Sequence, residues 1–204
     1  MSRRRYRLGE RERQVEATRT RILRAARALL MSPRVAEFSI DAVARRAKVT
    51  RVTVYQRFGT RTRLLEALFD ELAREGGMLE LEAAFREADP EKALAVFVTT
   101  FARFWTAHRA LHRRLRGFAA LDAKLGRTLH AREHWRRQGL EVIVDRFGRR
   151  GRREQLVNLL YALTSFELFD VLAGGEQSPE DVQDDVLRLV RAALNRAPPG
   201  VNPS

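Results

Sequence analysis

The chain has 204 residues, 45% of them apolar and 32% charged, enough apolar material to pack a core in one or two compact units. It has no cysteine, which excludes disulfides, thiolate metal sites and cysteine nucleophiles and fits a cytoplasmic protein. No apolar run approaches the ~20 residues of a membrane helix, and no apolar stretch behind the initial MSRRRYRLGERER can act as a secretory signal.

The net charge of +13 is concentrated at one end. Residues 1–63 hold 18 basic and 5 acidic side chains, whereas residues 64–204 hold 21 of each. Such a field attracts a polyanion: nucleic acid, or less often an anionic membrane surface. Of the basic residues 36 are Arg and 3 are Lys. Arg forks make two-point contacts with phosphates and guanine edges. A GC-rich genome accounts for much of the Arg excess but not for the asymmetry.

In chain order the pattern predicts an all-α protein of about nine helices, since Ala, Leu, Arg and Glu dominate and no sustained alternation occurs. Residues 1–15 read as a basic arm. A first helix spans about 17–31, with Ile22, Ala25, Ala26, Leu29 and Leu30 on one face and Ser32-Pro33 as its stop. Ser39 caps a short helix to Arg46, Thr50 caps another to Arg57, and Thr60 caps a longer one bearing Leu64, Leu65, Leu68, Phe69 and Leu72. Gly76-Gly77 weakens or kinks that helix. Asp89-Pro90-Glu91 opens a helix to about His108. Helices follow at about 111–118 and 122–147. The segment 154–172 is apolar nearly all round and demands burial on several sides. Gly174-Gly175 ends it, Ser178 caps a last helix to Asn195, and 198–204 reads as a disordered tail. The division is a basic arm (1–15), a unit of short helices (16–75) and a unit of longer helices (76–197).

Two short capped helices joined by four residues inside the cationic third form a helix-turn-helix candidate. Ala44 is small enough for close helix approach, Val49 plugs the turn, and Val54 and Phe58 bury the inner face of the second helix. Thr50, Arg51, Thr53, Gln56 and Arg57 then face outward, with groups suited to phosphates and base edges. Residues 20–68, TRILRAARALL…FSIDAVARRAKVTRVTVYQRFGTRTRLLEAL, resemble the N-terminal domain of the tetracycline-repressor (TetR) family of bacterial transcription regulators. Four blocks carry the resemblance: RILxAAxxLL, FS-I-x-x-[IV]-A, A-x-V-[ST]-x-x-T-[LV]-Y-x-x-F, and a basic residue before a Leu-Leu pair.

The resemblance implies that Ser39 and Tyr55 bond phosphates and that Thr50, Arg51 and Thr53 meet the major groove. It implies that Gln56 reaches a base or the backbone, and that Thr60 and Arg61 bring a helix start to a phosphate. The family usually has Gly where Lys48 stands; Lys48 faces DNA in this reading and meets a cost of ~1 kcal/mol if φ is positive. The basic arm (Arg3, Arg4, Arg5, Arg7) either enters a minor groove or adds nonspecific attraction.

The expected function is transcription regulation, most simply repression, by a homodimer on palindromic double-stranded DNA at the nucleoid. No cofactor is expected. Leu156, Leu159, Leu160 and Leu163 of one late helix, with Val186, Leu189 and Val190 of the last, are the expected dimer interface. The family's ligand pocket among the middle helices is expected to use Phe101, Phe104, Trp105, Phe118, Trp135, Tyr161 and Phe166 for a small hydrophobic or aromatic ligand, whose binding releases DNA.

Alternatives are weaker. His130-Ala131-Arg132-Glu133-His134 reads H-x-x-E-H, and His108 and His112 form a second i,i+4 pair, so a metal-responsive regulator or a metalloenzyme is conceivable. The surrounding arginines repel a cation, and no G-x-S-x-G, P-loop or G-x-G-x-x-G is present, so an enzyme is not expected. A membrane-surface protein would need an exposed apolar face, which the helix-turn-helix core consumes.

Overall fold

The computed structural model describes residues 3–32, 38–148 and 150–195. Those residues form eleven helices and two 3-10 turns, with no strand among them. The chain divides into two compact units, Met1–Glu71 with Arg113–Leu129, and Leu72–His112 with His130–Ser204. The expected tail, 198–204, lies outside the described residues, as does the expected helix stop at Pro33.

The first unit holds α1 (Arg3–Leu30), α2 (Ile40–Ala47), α3 (Arg51–Phe58) and the start of α4 (Arg61–Glu75). The end of α7 (Arg109–Ala119) and the start of α8 (Ala123–Asp145) complete it. Helix α1 begins fourteen residues earlier than the pattern predicts, so the backbone of the basic arm is helical from Arg3; the arm's side chains at 3–9 are outside the described set. The predicted apolar faces are buried: Ile22, Ala25, Ala26 and Leu30 of α1, Ile40, Val43 and Ala44 of α2, and Leu64, Leu65, Leu68, Phe69 and Leu72 of α4. Leu29 is half-buried.

The second unit adds α5 (Leu81–Arg86), α6 (Pro90–Ala107), α9 (Arg153–Leu163), α10 (Phe166–Ala173) and α11 (Gln183–Asn195). Its core gathers Leu94, Phe97, Val98, Phe101 and Trp105 of α6 with Leu140, Ile143 and Val144 of α8. Leu156, Val157 and Leu160 of α9, Phe166 and Phe169 of α10, and Val186, Val190 and Leu194 of α11 close it. Asp89 caps α6 through Glu91 N and Lys92 N, with Pro90 in the first turn, as the sequence predicts.

The count exceeds nine for two reasons. Helix α5 was not anticipated. The apolar segment 154–172 is two helices rather than one, meeting at a 44° bend. Trp105 Nε1 donates to the Thr164 carbonyl (3.3 Å) and Arg136 Nη1 to the Thr164 hydroxyl (2.8 Å). Ser165 is then extended, and its hydroxyl caps α10 at Leu168 N. The last helix starts at Gln183, four residues late; Ser178 and Asp181 exchange bonds in a turn before it. No single described helix is long and apolar enough to cross a membrane.

Helix α4 ends at Glu75, before Gly77, whose φ is +79°. Gly76 lies against Phe104: a Cβ there would stand 2.5 Å from Phe104 Cδ2. Near the end of α7, by contrast, a Cβ on Gly117 meets nothing within 4 Å. Gly76→Ala is therefore expected to destabilise the protein by about 1–3 kcal/mol through overpacking. Gly117→Ala is expected to leave stability unchanged or raise it by about 0.5–1 kcal/mol. Urea unfolding of both variants checks the pair; equal effects would contradict the close approach at Gly76.

Candidate nucleic-acid interface

The geometry begins with three caps. Ser39 Oγ accepts from Ala42 N, Thr50 Oγ1 from Thr53 N (3.1 Å) and Thr60 Oγ1 from Arg63 N (3.1 Å). They set the starts of α2, α3 and α4 where the sequence predicts. Between α2 and α3, Lys48 is left-handed (φ 52°, ψ 48°), and its N–H bonds the carbonyls of Ala44 and Arg45. Val49 N bonds Ala44 O, so the last carbonyls of α2 are satisfied inside the turn. The left-handed turn expected at Lys48 is thus present, on a residue with a Cβ and an exposed ammonium.

Helix α3 is only eight residues long. Val54 and Phe58 are its buried side chains, and Gly59 (φ 72°) closes it by bonding Tyr55 O. Thr50, Arg51, Gln56 and Arg57 are exposed and Thr53 is half-buried. Arg45, Arg46 and Lys48 at the end of α2 and Arg63 on α4 are also exposed. This is a rigid, cationic, hydroxyl-bearing surface that offers donors to an anionic partner.

Arg51 is already oriented. Its Nη1 donates to Asp41 Oδ2 (3.2 Å) and its Nη2 to the Tyr55 hydroxyl (3.2 Å), and the guanidinium lies 5.3 Å from the Tyr55 ring centroid. The Tyr55 bond first, then the Asp41 charge, push its pKa up. Tyr55 is 41% exposed, so its ring is less buried than a core residue and its hydroxyl serves Arg51 as well as any phosphate. Asp41 escaped the sequence reading; an acidic residue in the first turn of α2 looks like ordinary helix-dipole complement.

Arg61 is placed differently from the other cations. Its guanidinium is held two-pronged by Asp122, with Nη1 3.3 Å from Oδ1 and Nη2 on Oδ2, and stacks 5.0 Å from the Phe38 ring centroid. Asp122 also caps α8, accepting from Lys124 N and Leu125 N at 3.0 Å each. Arg61 foremost, aided by those backbone bonds, holds the Asp122 carboxyl below its usual range against the cost of partial burial.

The other expected residues fall in several places. Phe101, Phe104, Trp105 and Phe166 do cluster, with His112 between Phe104, Trp105 and Phe166 at 4.7–5.3 Å between centroids. Tyr161 lies under Arg136, 3.9 Å from it. One aromatic of the same unit does not join them. Trp135 is 62% exposed beneath Arg132, because its position on α8 faces away from the core. Phe118 belongs to the first compact unit. Of the expected interface residues, Leu156, Leu160, Val186 and Val190 are buried in the protomer's own core and Leu163 is half-buried. Apolar surface left over on these helices is at Leu159 (39% exposed) and Leu189 (43%). The four histidines do not converge: no group of three or more metal-ligating side chains occurs among the described residues. His108 Nε2 is 2.9 Å from Leu72 O, and Glu133 is engaged by Arg136 and Tyr161.

Lys48→Gly is expected to raise stability by up to about 1 kcal/mol by relieving the left-handed strain. The same change should weaken binding to any duplex, with no effect on sequence preference. Urea midpoints and duplex titrations check both; a destabilised glycine variant would contradict the strain.

Residues 22–68 match the family model described as bacterial regulatory proteins, tetR family. No curated protein matches the chain. Among solved structures, NalD of Pseudomonas aeruginosa, described as the secondary repressor of the MexAB-OprM multidrug efflux pump, is 20% identical at a TM-score of 0.65, covering 89% of this chain and 97% of that one. The TetR-family regulator PfmR of Thermus thermophilus is 19% identical at 0.61, over 86% and 99%. A TetR-like regulator from a Rhodococcus species is 20% identical at 0.62, over 87% and 95%. Residues 22–68 thus match the tetR family of bacterial regulatory proteins, and the chain as a whole has the fold of these solved TetR-type regulators.

Proposed function

We propose that the chain represses transcription by binding a palindromic operator as a homodimer through α3. The observation that carries this reading is the division of α3 into two faces. Val54 and Phe58 anchor it inward, and Thr50, Arg51, Gln56 and Arg57 are exposed in the cationic end of the chain. Phosphate contacts from Ser39, Lys48, Tyr55 and Thr60 would fix register, and Arg51 and Thr53 would read bases. One such module reads few base pairs, so specificity calls for two copies on a two-fold site. Leu159 and Leu189, on helices that pack together in the second unit, support an isologous contact.

The aromatic cluster of Phe101, Phe104, Trp105 and Phe166 supports a further step, in which a small apolar or aromatic ligand binds there and lowers operator affinity. Operator and ligand then oppose each other by the same factor.

Two experiments follow. Duplexes selected from a random pool by the wild type should share a palindrome, and Arg51→Ala with Thr53→Ala should lose that preference while helical content stays intact. Unchanged operator affinity in the double variant would refute the assignment of α3. Leu159→Glu with Leu189→Glu should convert the dimer to monomer in sedimentation velocity. A variant that still sediments as a dimer would place the contact elsewhere.

A further inference from the structure

Arg61 is the residue that departs from the role its position implies. A cation at the first position of α4 is set to meet a phosphate, yet both its Nη groups are on Asp122 and its face is on Phe38. Its side chain is 22% exposed and that of Asp122 28%, so the pair is sheltered while the arginines on α3 are open. A two-pronged guanidinium–carboxylate bond is directional and strong for its kind.

The pair joins two stiff pieces of the first unit. On one side, α3 and α4 are separated only by Gly59 and Thr60, with Gly59 N bonded to Tyr55 O and Thr60 N to Phe58 O at 2.8 Å each. Whatever fixes residue 61 therefore fixes the end of the recognition helix. On the other side, Asp122 is the cap of α8, and its own N–H bonds Phe118 O at the end of α7. Gly126 permits that corner: a Cβ there would stand 2.9 Å from Ala119 O.

We propose that Asp122 is a positioning residue for DNA recognition, holding Arg61 as an internal strut that sets the α3–α4 turn instead of leaving it to contact phosphate. This rests on the reading of α3 as the DNA-reading helix. Asp122 tethers the turn to the first residues of α8, the helix that runs on into the second unit. A change in that first turn of α8 is transmitted to α3 through one ion pair.

The test uses the full chain and the duplex that the wild type selects, with a random-sequence duplex beside it. Asp122→Asn keeps an oxygen to cap α8 and loses the charge; Arg61→Gln removes the other partner. Each should weaken selected-duplex binding at least about fivefold. Random-duplex binding and the slope of log Kd on log salt should stay at wild-type values, because no phosphate contact is lost. Asp122→Glu, which keeps the charge and a capping oxygen, should retain most of the selected-duplex affinity that Asp122→Asn loses.

Several results overturn the proposal. An Arg61→Gln slope smaller by about one, with random and selected duplexes weakened alike, would make Arg61 a phosphate contact. Tighter binding by Asp122→Asn would make Asp122 a competitor of DNA. An Asp122→Glu variant that folds, by its helical content, yet binds no better than Asp122→Asn would remove the strut while leaving α3 as the reader. A wild type that selects no sequence would overturn both readings together.

Discussion

Everything on the exposed cationic face of the first unit depends on how an eight-residue helix is held still. A helix that short is unstable alone in water. Here Val54 and Phe58 go inward, Thr50 closes one end and Gly59 the other. The small side chains of Ala44 and Ala47, both buried on α2, leave room for α3 to sit close. Anchoring uses one face and two ends and leaves the other face outward. On that face the Thr50 and Thr53 hydroxyls bond each other and Arg51 bonds Asp41 and Tyr55, while Gln56 and Arg57 are exposed.

Arginine does two different jobs in the two units. In the first several are displayed: Arg45, Arg46, Arg51, Arg57 and Arg63 are exposed, whereas Arg61 is sheltered. In the second, three bond carbonyls at helix ends. Arg109 donates to Asp170 Oδ1 and to the carbonyls of Asp170, Gly174 and Gln177, at and beyond the end of α10. Arg136, 5% exposed, joins Glu133, the Tyr161 carbonyl in the last turn of α9 and the Thr164 hydroxyl. Arg146 donates to Phe85 O and Glu87 O at the end of α5. Each serves a helix C-terminus, where orphan carbonyls and the negative end of the dipole favour a cation. A helix C-terminus alone does not make an arginine structural: Arg45 and Arg46 in the last turn of α2 and Arg57 in that of α3 are exposed.

The sequence made local features legible. Caps at Ser39, Thr50, Thr60 and Asp89 and the stripes of α1, α2 and α4 follow from i,i+3/i+4 spacing and from a few residue types. The left-handed turn at Lys48 was legible only through the resemblance, since nothing in the residue itself demands it. What failed to show was long-range. The partner of Arg61 lies sixty-one residues away, and no local pattern ties it to Asp122. Thr164-Ser165 inside an apolar run was the available sign of a break, but the groups that fix it, Trp105 and Arg136, come from other helices. An apolar stripe likewise does not say which partner takes it. Leu156, Leu160, Val186 and Val190 read as interface and went to the protomer's own core, and Trp135 read as pocket and faces solvent.

Amide hydrogen exchange of the full chain, with and without its selected duplex, tests the central claim most directly. Slowed exchange should concentrate in residues 39–63, covering α2, the Lys48 turn, α3 and the start of α4. Protection centred on other residues, with 39–63 exchanging as in the free protein, would contradict the assignment of α3 as the surface that meets DNA.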